Sequence, residues 1–119
     1  MAWEVEVTDE FLEWYMALPL KEAQAVFRVV GYLEERGPQL SFPFSSDVRG
    51  SRHGNMRELR AQSGGHPLRM LYAFDPRRTA IILLGGDKTG DDAWYERNVP
   101  LADRLYDEYL EELRKEGLI

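Results

Sequence analysis

The chain has 119 residues, 44% of them hydrophobic and 12% aromatic, with a formal net charge of −6 and no cysteine. That length fits a single domain, residues 1–119, with a core of its own, and the missing cysteine excludes disulfides and thiolate metal sites. With only His53 and His66 available, a dedicated transition-metal site is not expected, and no cofactor motif is present.

The opening stretch MAWEVEVTDEF is acidic where an export signal would be basic and then apolar, and no apolar run approaches a membrane span. A cytoplasmic protein with no membrane partner is expected. Its Trp3, Val5 and Val7 alternate with Ala2, Glu4 and Glu6, the period of a half-buried strand. Thr8 then supplies an N-cap, with Asp9 and Glu10 in the first turn of a short helix ending near Leu18. Pro19 suits the start of a second helix, whose Leu20, Ala23, Val26, Phe27, Val30 and Leu33 recur at helical spacing until Gly37-Pro38. The two helices are expected to form an αα-hairpin. Residues 37–55, rich in Gly, Pro and Ser, read as a long surface loop.

Residues 56–60, 67–74 and 79–86 read as three strands joined by SGGHP and DPRR turns, a meander of antiparallel hairpins. The last of them, AIILLGG, is apolar on both faces and so belongs inside the sheet. Asp91-Asp92 opens a final helix with Trp94, Leu101, Leu105, Leu110 and Leu113 as its apolar stripe, and Pro100 predicts a break or kink near Val99. The expected fold class is α+β, in the order β-α-α-β-β-β-α, with a mainly antiparallel sheet and helices packed on it.

Charge is unevenly placed along this order. Residues 49–88 hold 8 Lys/Arg against 3 Asp/Glu, while the rest of the chain holds 7 against 18. An anion responds to the local field, so a basic cleft can work inside an acidic shell. Alternation decides which charges share a face. If Leu59 points into the core, Met56, Glu58 and Arg60 turn outward, and if Leu68, Met70 and Tyr72 are packed, Arg69 turns the other way. Glu58, Arg60 and Arg69 are therefore expected to meet on an open face of the sheet, with Lys88 and Tyr95 on its rim. Arginine on a half-exposed strand is commonly only a cross-strand partner, and Glu58 among arginines is commonly a surface ion pair. Arg49, Arg52, His53, Arg57, Arg77 and Arg78 are the remaining candidates to contact an anionic, phosphate-bearing partner, although charges in turns often serve only solubility. GGDKTG lacks the spacing of a nucleotide-binding phosphate loop.

The run ELR...GGHPLRMLYAFD...IILLGGDKTGDDAWYER, in this order of elements, resembles the RelE/ParE superfamily of toxins, specifically its HigB-type, phage-derived branch. The likeness covers essentially the whole chain. It implies a RelE-like fold and the toxin of a type II toxin–antitoxin pair, a metal-independent, ribosome-dependent endonuclease of messenger RNA. The implied partners are the ribosome and its message, and an antitoxin with a helix-turn-helix domain, through which alone operator DNA would be reached. By the same resemblance Arg69 is the phosphate-stabilising strand arginine, Lys88 the basic residue after the next strand, and Tyr95 the aromatic residue at the start of the last helix. Arg60 completes the clamp.

Where better-studied members present lysines, this chain presents Met56 and Glu58, so Glu58 is either the general base or the group that holds Arg60 and Arg69 in place. Tyrosine or lysine could act as a base only if a strong basic field lowered its pKa. A gyrase poison of the ParE type and an inactive scaffold that binds only antitoxin are the alternatives the same fold allows.

Overall fold

A computed structural model describes residues 2–119. The elements are β1 (Val5–Val7), α1 (Asp9–Met16), α2 (Leu20–Arg36), a 3-10 turn (Gly37–Gln39), β2 (Ser45–Asp47), β3 (Arg57–Ser63), β4 (His66–Phe74), β5 (Ala80–Asp87) and α3 (Trp94–Lys115). They build one five-stranded sheet of order β1-β5-β4-β3-β2, with β1 parallel to β5 and every other pair antiparallel. The α+β class stands, and the sheet gains one strand.

Local chemistry accounts for several boundaries. The Thr8 hydroxyl accepts the Phe11 N–H at 3.0 Å, capping α1 as its sequence position requires. Gly64 and Gly65, both with positive φ, form a two-residue turn closing the β3–β4 hairpin at the Ser63–His66 pair. The turn is thus narrower than SGGHP, since His66 and Pro67 already belong to β4.

Helices cover both faces of the sheet. On one, Phe11 of α1 and Ala25, Val26, Val29 and Leu33 of α2 pack on Leu59, Ala61, Leu68, Met70, Tyr72 and Ile82. On the other, Trp94, Val99, Ala102, Leu105 and Tyr106 of α3 pack on Met56, Leu71, Ala73, Ile81 and Leu83. This second layer corrects the expectation of an open face. Met56, expected to point to solvent, is 2% exposed beneath α3.

Four further expectations change. Leu20 and Phe27 are solvent-facing, while Val26 and Leu33 are buried as expected and Ala25 and Val29 join them in the buried stripe of α2. α1 and α2 share one core cluster, through Phe11, Ala25 and Val26, but each makes its main contact with a strand, α1 with β5 and α2 with β3, more than with the other helix. The stretch 37–55 is not all surface loop. Leu40 and Ser45 are buried in it, and β2 adds an edge strand through the Ser46–Glu58 register. Finally, α3 begins at Trp94, after a turn in which Asp91 accepts the Ala93 N–H, and it continues as one helix through Pro100. Burial of Trp94, Val99 and Leu105 on either side of the proline holds the helix together there.

An irregularity in the β4–β5 register positions the site. Leu71 pairs with Leu84, but Tyr72 pairs with Ile82, so β5 bulges at this step and its alternation shifts. Beyond the bulge Gly85 faces the Trp14 indole of α1 and Gly86 the Trp94 indole of α3. A Cβ on Gly86 would lie 2.5 Å from Trp94 Nε1, so only glycine admits the indole there. The close approach of Trp94 brings the next residue, Tyr95, down onto the sheet.

Candidate active site

Arg60 and Arg69 are directly opposite on β3 and β4, Glu58 opposes Leu71 on the same face, and Gly86 lies beside Arg69. Tyr95, at the start of α3, closes over them. Its hydroxyl donates to Glu58 Oε1 at 2.6 Å, while the Ser46 hydroxyl of β2 donates to Oε2 at 2.7 Å. Arg69 Nε stands 3.6 Å from Oε1 and Arg60 Nη1 3.5 Å from Oε2. Both carboxylate oxygens are therefore engaged from two sides. Lys88 Nζ lies 5.9 Å from the centre of the Tyr95 ring, completing the rim.

Sequence reading brings these five residues, Glu58, Arg60, Arg69, Lys88 and Tyr95, to one place, as the structure does, but it misjudges their depth. Glu58 and Arg69 are each 5% exposed. Arg69 Nη1 donates to the Leu68 carbonyl at 3.0 Å, while Nε is the buried side-chain polar atom left without a hydrogen-bond partner among the described residues. An unpaired donor on a buried cation is costly, and such groups concentrate where a ligand is to be bound. Ser46 is the participant that sequence reading misses. It lies in a three-residue strand too short for any periodicity to show.

The Tyr95 hydroxyl is held above its ordinary pKa, first by burial and then by its bond to the Glu58 carboxylate, with Arg69 opposing weakly. A field lowering it is thus not what the site supplies, and Tyr95 retains its proton at neutral pH. It can donate a proton but is a poor base.

The other candidates lie elsewhere. Arg57 emerges on the opposite face of β3, donating to Ser45 Oγ at 3.1 Å and pairing with Asp47. Arg49, Arg52 and His53 belong to the segment before β3, which is tied to α3. The Arg52 N–H donates to Asp103 Oδ2 at 2.9 Å, the Arg52 guanidinium pairs with Asp107, and His53 Nε2 is 2.8 Å from Asp107 Oδ1. That segment also meets the C-terminal end of β4, where Asn55 donates to the Phe74 carbonyl at 2.9 Å, whereas Arg69 lies near the strand's start. Arg77 and Arg78 occupy the β4–β5 turn at that same far end, Arg77 paired with Asp75 at 3.0 Å and Glu6 at 3.2 Å. Arg49 is exposed, and neither it nor Lys88 has an ion-pair partner among the described residues. The side chains that could gather a cation, Glu22, His66 and Asp87, place ligand atoms within 4.8 Å of one another, with His66 and Asp87 already bonded to each other. Among the described residues no helix is long and apolar enough to cross a membrane.

An edge-extended antiparallel sheet, two helices on one face and a C-terminal helix setting a tyrosine over strand arginines on the other define a RelE-like fold. Solved structures of that fold align along most of the chain. A substituted Escherichia coli RelE toxin in the free state matches with TM-score 0.58 at 12% identity, covering 95% of this chain and 99% of that one. The RelBE2 toxin–antitoxin complex of Mycobacterium tuberculosis matches at 0.56 and 19%, covering 73% and 99%. The RelE–RelB complex of Pyrococcus horikoshii matches at 0.55 and 18%, covering 74% and 97%.

The chain belongs to the phage-derived, Gp49-like protein family, whose model matches residues 13–107. It is 42% identical to the Mycobacterium tuberculosis protein bearing the toxin name HigB3, over 82% of this chain and 84% of that protein. It is 40% identical to HigB2 of the same organism over 92% of its own length, but spans only 55% of HigB2.

Proposed function

We propose that this protein is the toxin of a type II toxin–antitoxin pair and that it cuts messenger RNA on the translating ribosome in the cytoplasm, without a metal. A helix-turn-helix antitoxin restrains it and provides its only route to operator DNA. Two of the similar solved structures are toxin–antitoxin complexes, which supports the antitoxin partner. The observation carrying the enzymatic reading is the buried Arg69, whose unpaired Nε shares the Glu58 carboxylate with the protonated Tyr95.

Cleavage by an RNA 2′-hydroxyl needs a charge stabiliser for the phosphate and a proton donor for the departing 5′-oxygen. Arg69 and Arg60 are assigned the first task, and Tyr95, its proton retained, the second. Glu58 is assigned to hold all three, since both its oxygens are engaged. Lys88, free of ion pairs among the described residues and beside the Tyr95 ring, is assigned to meet a flanking phosphate.

Primer extension on a reporter message after brief induction tests the proposal. Discrete cuts within translated codons are expected for the wild type and none for Arg69→Ala at equal protein level. Intact messages with growth arrest would instead support gyrase poisoning, and intact messages with normal growth an inactive scaffold.

A further inference from the structure

A cavity of about 360 Å3 opens beside the arginine clamp, between α2 and the segment entering β2. Arg28, Arg60 and Arg69 line it together with Tyr32, Phe44 and Gln62, and no acidic side chain does. Arg60 and Arg69 already share Glu58 behind this wall, so the uncompensated positive charge it presents is that of Arg28, and in a chain of net charge −6 that charge favours an anionic occupant. Arg28 has no ion-pair partner among the described residues, so its charge is available.

Two aromatic rings stand among the aliphatic side chains of the remaining wall. Tyr32 and Phe44 meet edge to face with centroids 4.8 Å apart. Phe42, next to the lining residue Pro43, is 70% exposed and has the Arg60 guanidinium 5.2 Å above its ring. A large aromatic side chain left in solvent beside a cation has no role in the core, and a flat π-face flanked by arginine is the surface on which an unpaired base stacks. Gln62 adds an amide able both to donate and to accept.

We infer that this cleft is a nucleobase-binding subsite for single-stranded RNA, in which a base adjoining the scissile phosphate stacks on Phe42 while Arg28 and Arg60 hold its backbone. The inference rests on the nuclease reading for the identity of its substrate, but not for its geometry. Arg60 and Arg69 belong to both the cleft and the clamp, so a base seated here leaves its phosphate at the clamp.

The test uses the full chain at low salt and a short single-stranded RNA carrying 2-aminopurine, whose fluorescence is quenched on stacking. Quenching is expected with the wild type, about tenfold weaker binding with Phe42→Ala, and recovery with Phe42→Tyr. Circular dichroism should be unchanged, because Phe42 is exposed. No quenching with the wild type, or equal quenching with Phe42→Ala, overturns the subsite. So does Phe42→Ala binding RNA normally but losing its antitoxin, which would make the cleft a protein-docking surface. Message cutting, measured in parallel, separates the two readings. A wild type that cuts messages with no dependence on Phe42 in either assay removes the subsite and leaves the nuclease. One that cuts nothing but quenches the probe through Phe42 removes the nuclease and leaves the subsite.

Discussion

Replacing Glu58 by Gln keeps the side chain's shape while removing the charge that Arg69 faces. The two groups are 5% exposed each and 3.6 Å apart, so water screens them little, and the variant leaves a buried guanidinium uncompensated with its Nε still unpaired. Breaking a buried pair from one side costs about 3–5 kcal/mol. The Gln amide must in addition turn a donor toward either Tyr95 or Ser46, each of which already donates at 2.6–2.7 Å, so one of these bonds is lost as well. A destabilisation of about 4 kcal/mol is expected, read by urea unfolding monitored through tryptophan fluorescence. The double variant Glu58→Gln/Arg69→Leu removes both charges and should recover about 2 kcal/mol relative to the sum of the single changes. A loss below about 1 kcal/mol for Glu58→Gln, with an additive double variant, would refute the claim that Glu58 holds Arg69.

Four other outcomes are expected. Tyr95→Phe deletes a charge-assisted bond and should cost about 1–2 kcal/mol in stability together with most message cutting, while an unchanged cutting rate would remove Tyr95 as proton donor. Because the Tyr95 pKa is raised, its proton is retained beyond the ordinary tyrosine range, so single-turnover cutting should show no alkaline fall before about pH 10. The Asp107 carboxyl is held below its ordinary pKa, chiefly by the Arg52 guanidinium and then by His53. Its contribution is present above the unfolded carboxylate pKa and lost as pH falls through the folded one, so Asp107→Asn should flatten the acid limb of stability, checked by unfolding between neutral pH and about pH 3. Gly86→Ala should displace Trp94, cost about 1–3 kcal/mol by overpacking and reduce toxicity in growing cells, whereas native stability and toxicity would show that the indole is free to move.

What the sequence made legible was local. Thr8 before two acids, Gly64-Gly65 between alternating strands and the doubly apolar AIILL each act through a few neighbouring residues, and each appears where expected. The shared face of Glu58, Arg60 and Arg69 follows from strand alternation alone. What stayed hidden depends on which layer covers which face. Met56 and Glu58 read as exposed because a polar-flanked strand gives no sign that α3 will return over it. Leu20 and Phe27 fit the helical period of α2 but fall on the side away from the sheet. β2 is specified by the edge of β3 more than by its own three residues, and with it Ser46 escaped notice.

The neutralisation of the clamp by its own carboxylate bears on how the protein meets nucleic acid in solution. Arginines that hold condensed counterions release them to bulk when RNA binds, and that release makes affinity steeply dependent on salt. Here Arg60 and Arg69 share Glu58, so an arriving phosphate competes with a fixed internal anion and liberates little from the ionic atmosphere. At a distance the net charge of −6 repels RNA. The clamp's own share of any RNA affinity should therefore be only shallowly salt-dependent, and a steep salt dependence would have to come from basic residues outside it that hold no internal anion, such as Arg28 and Lys88.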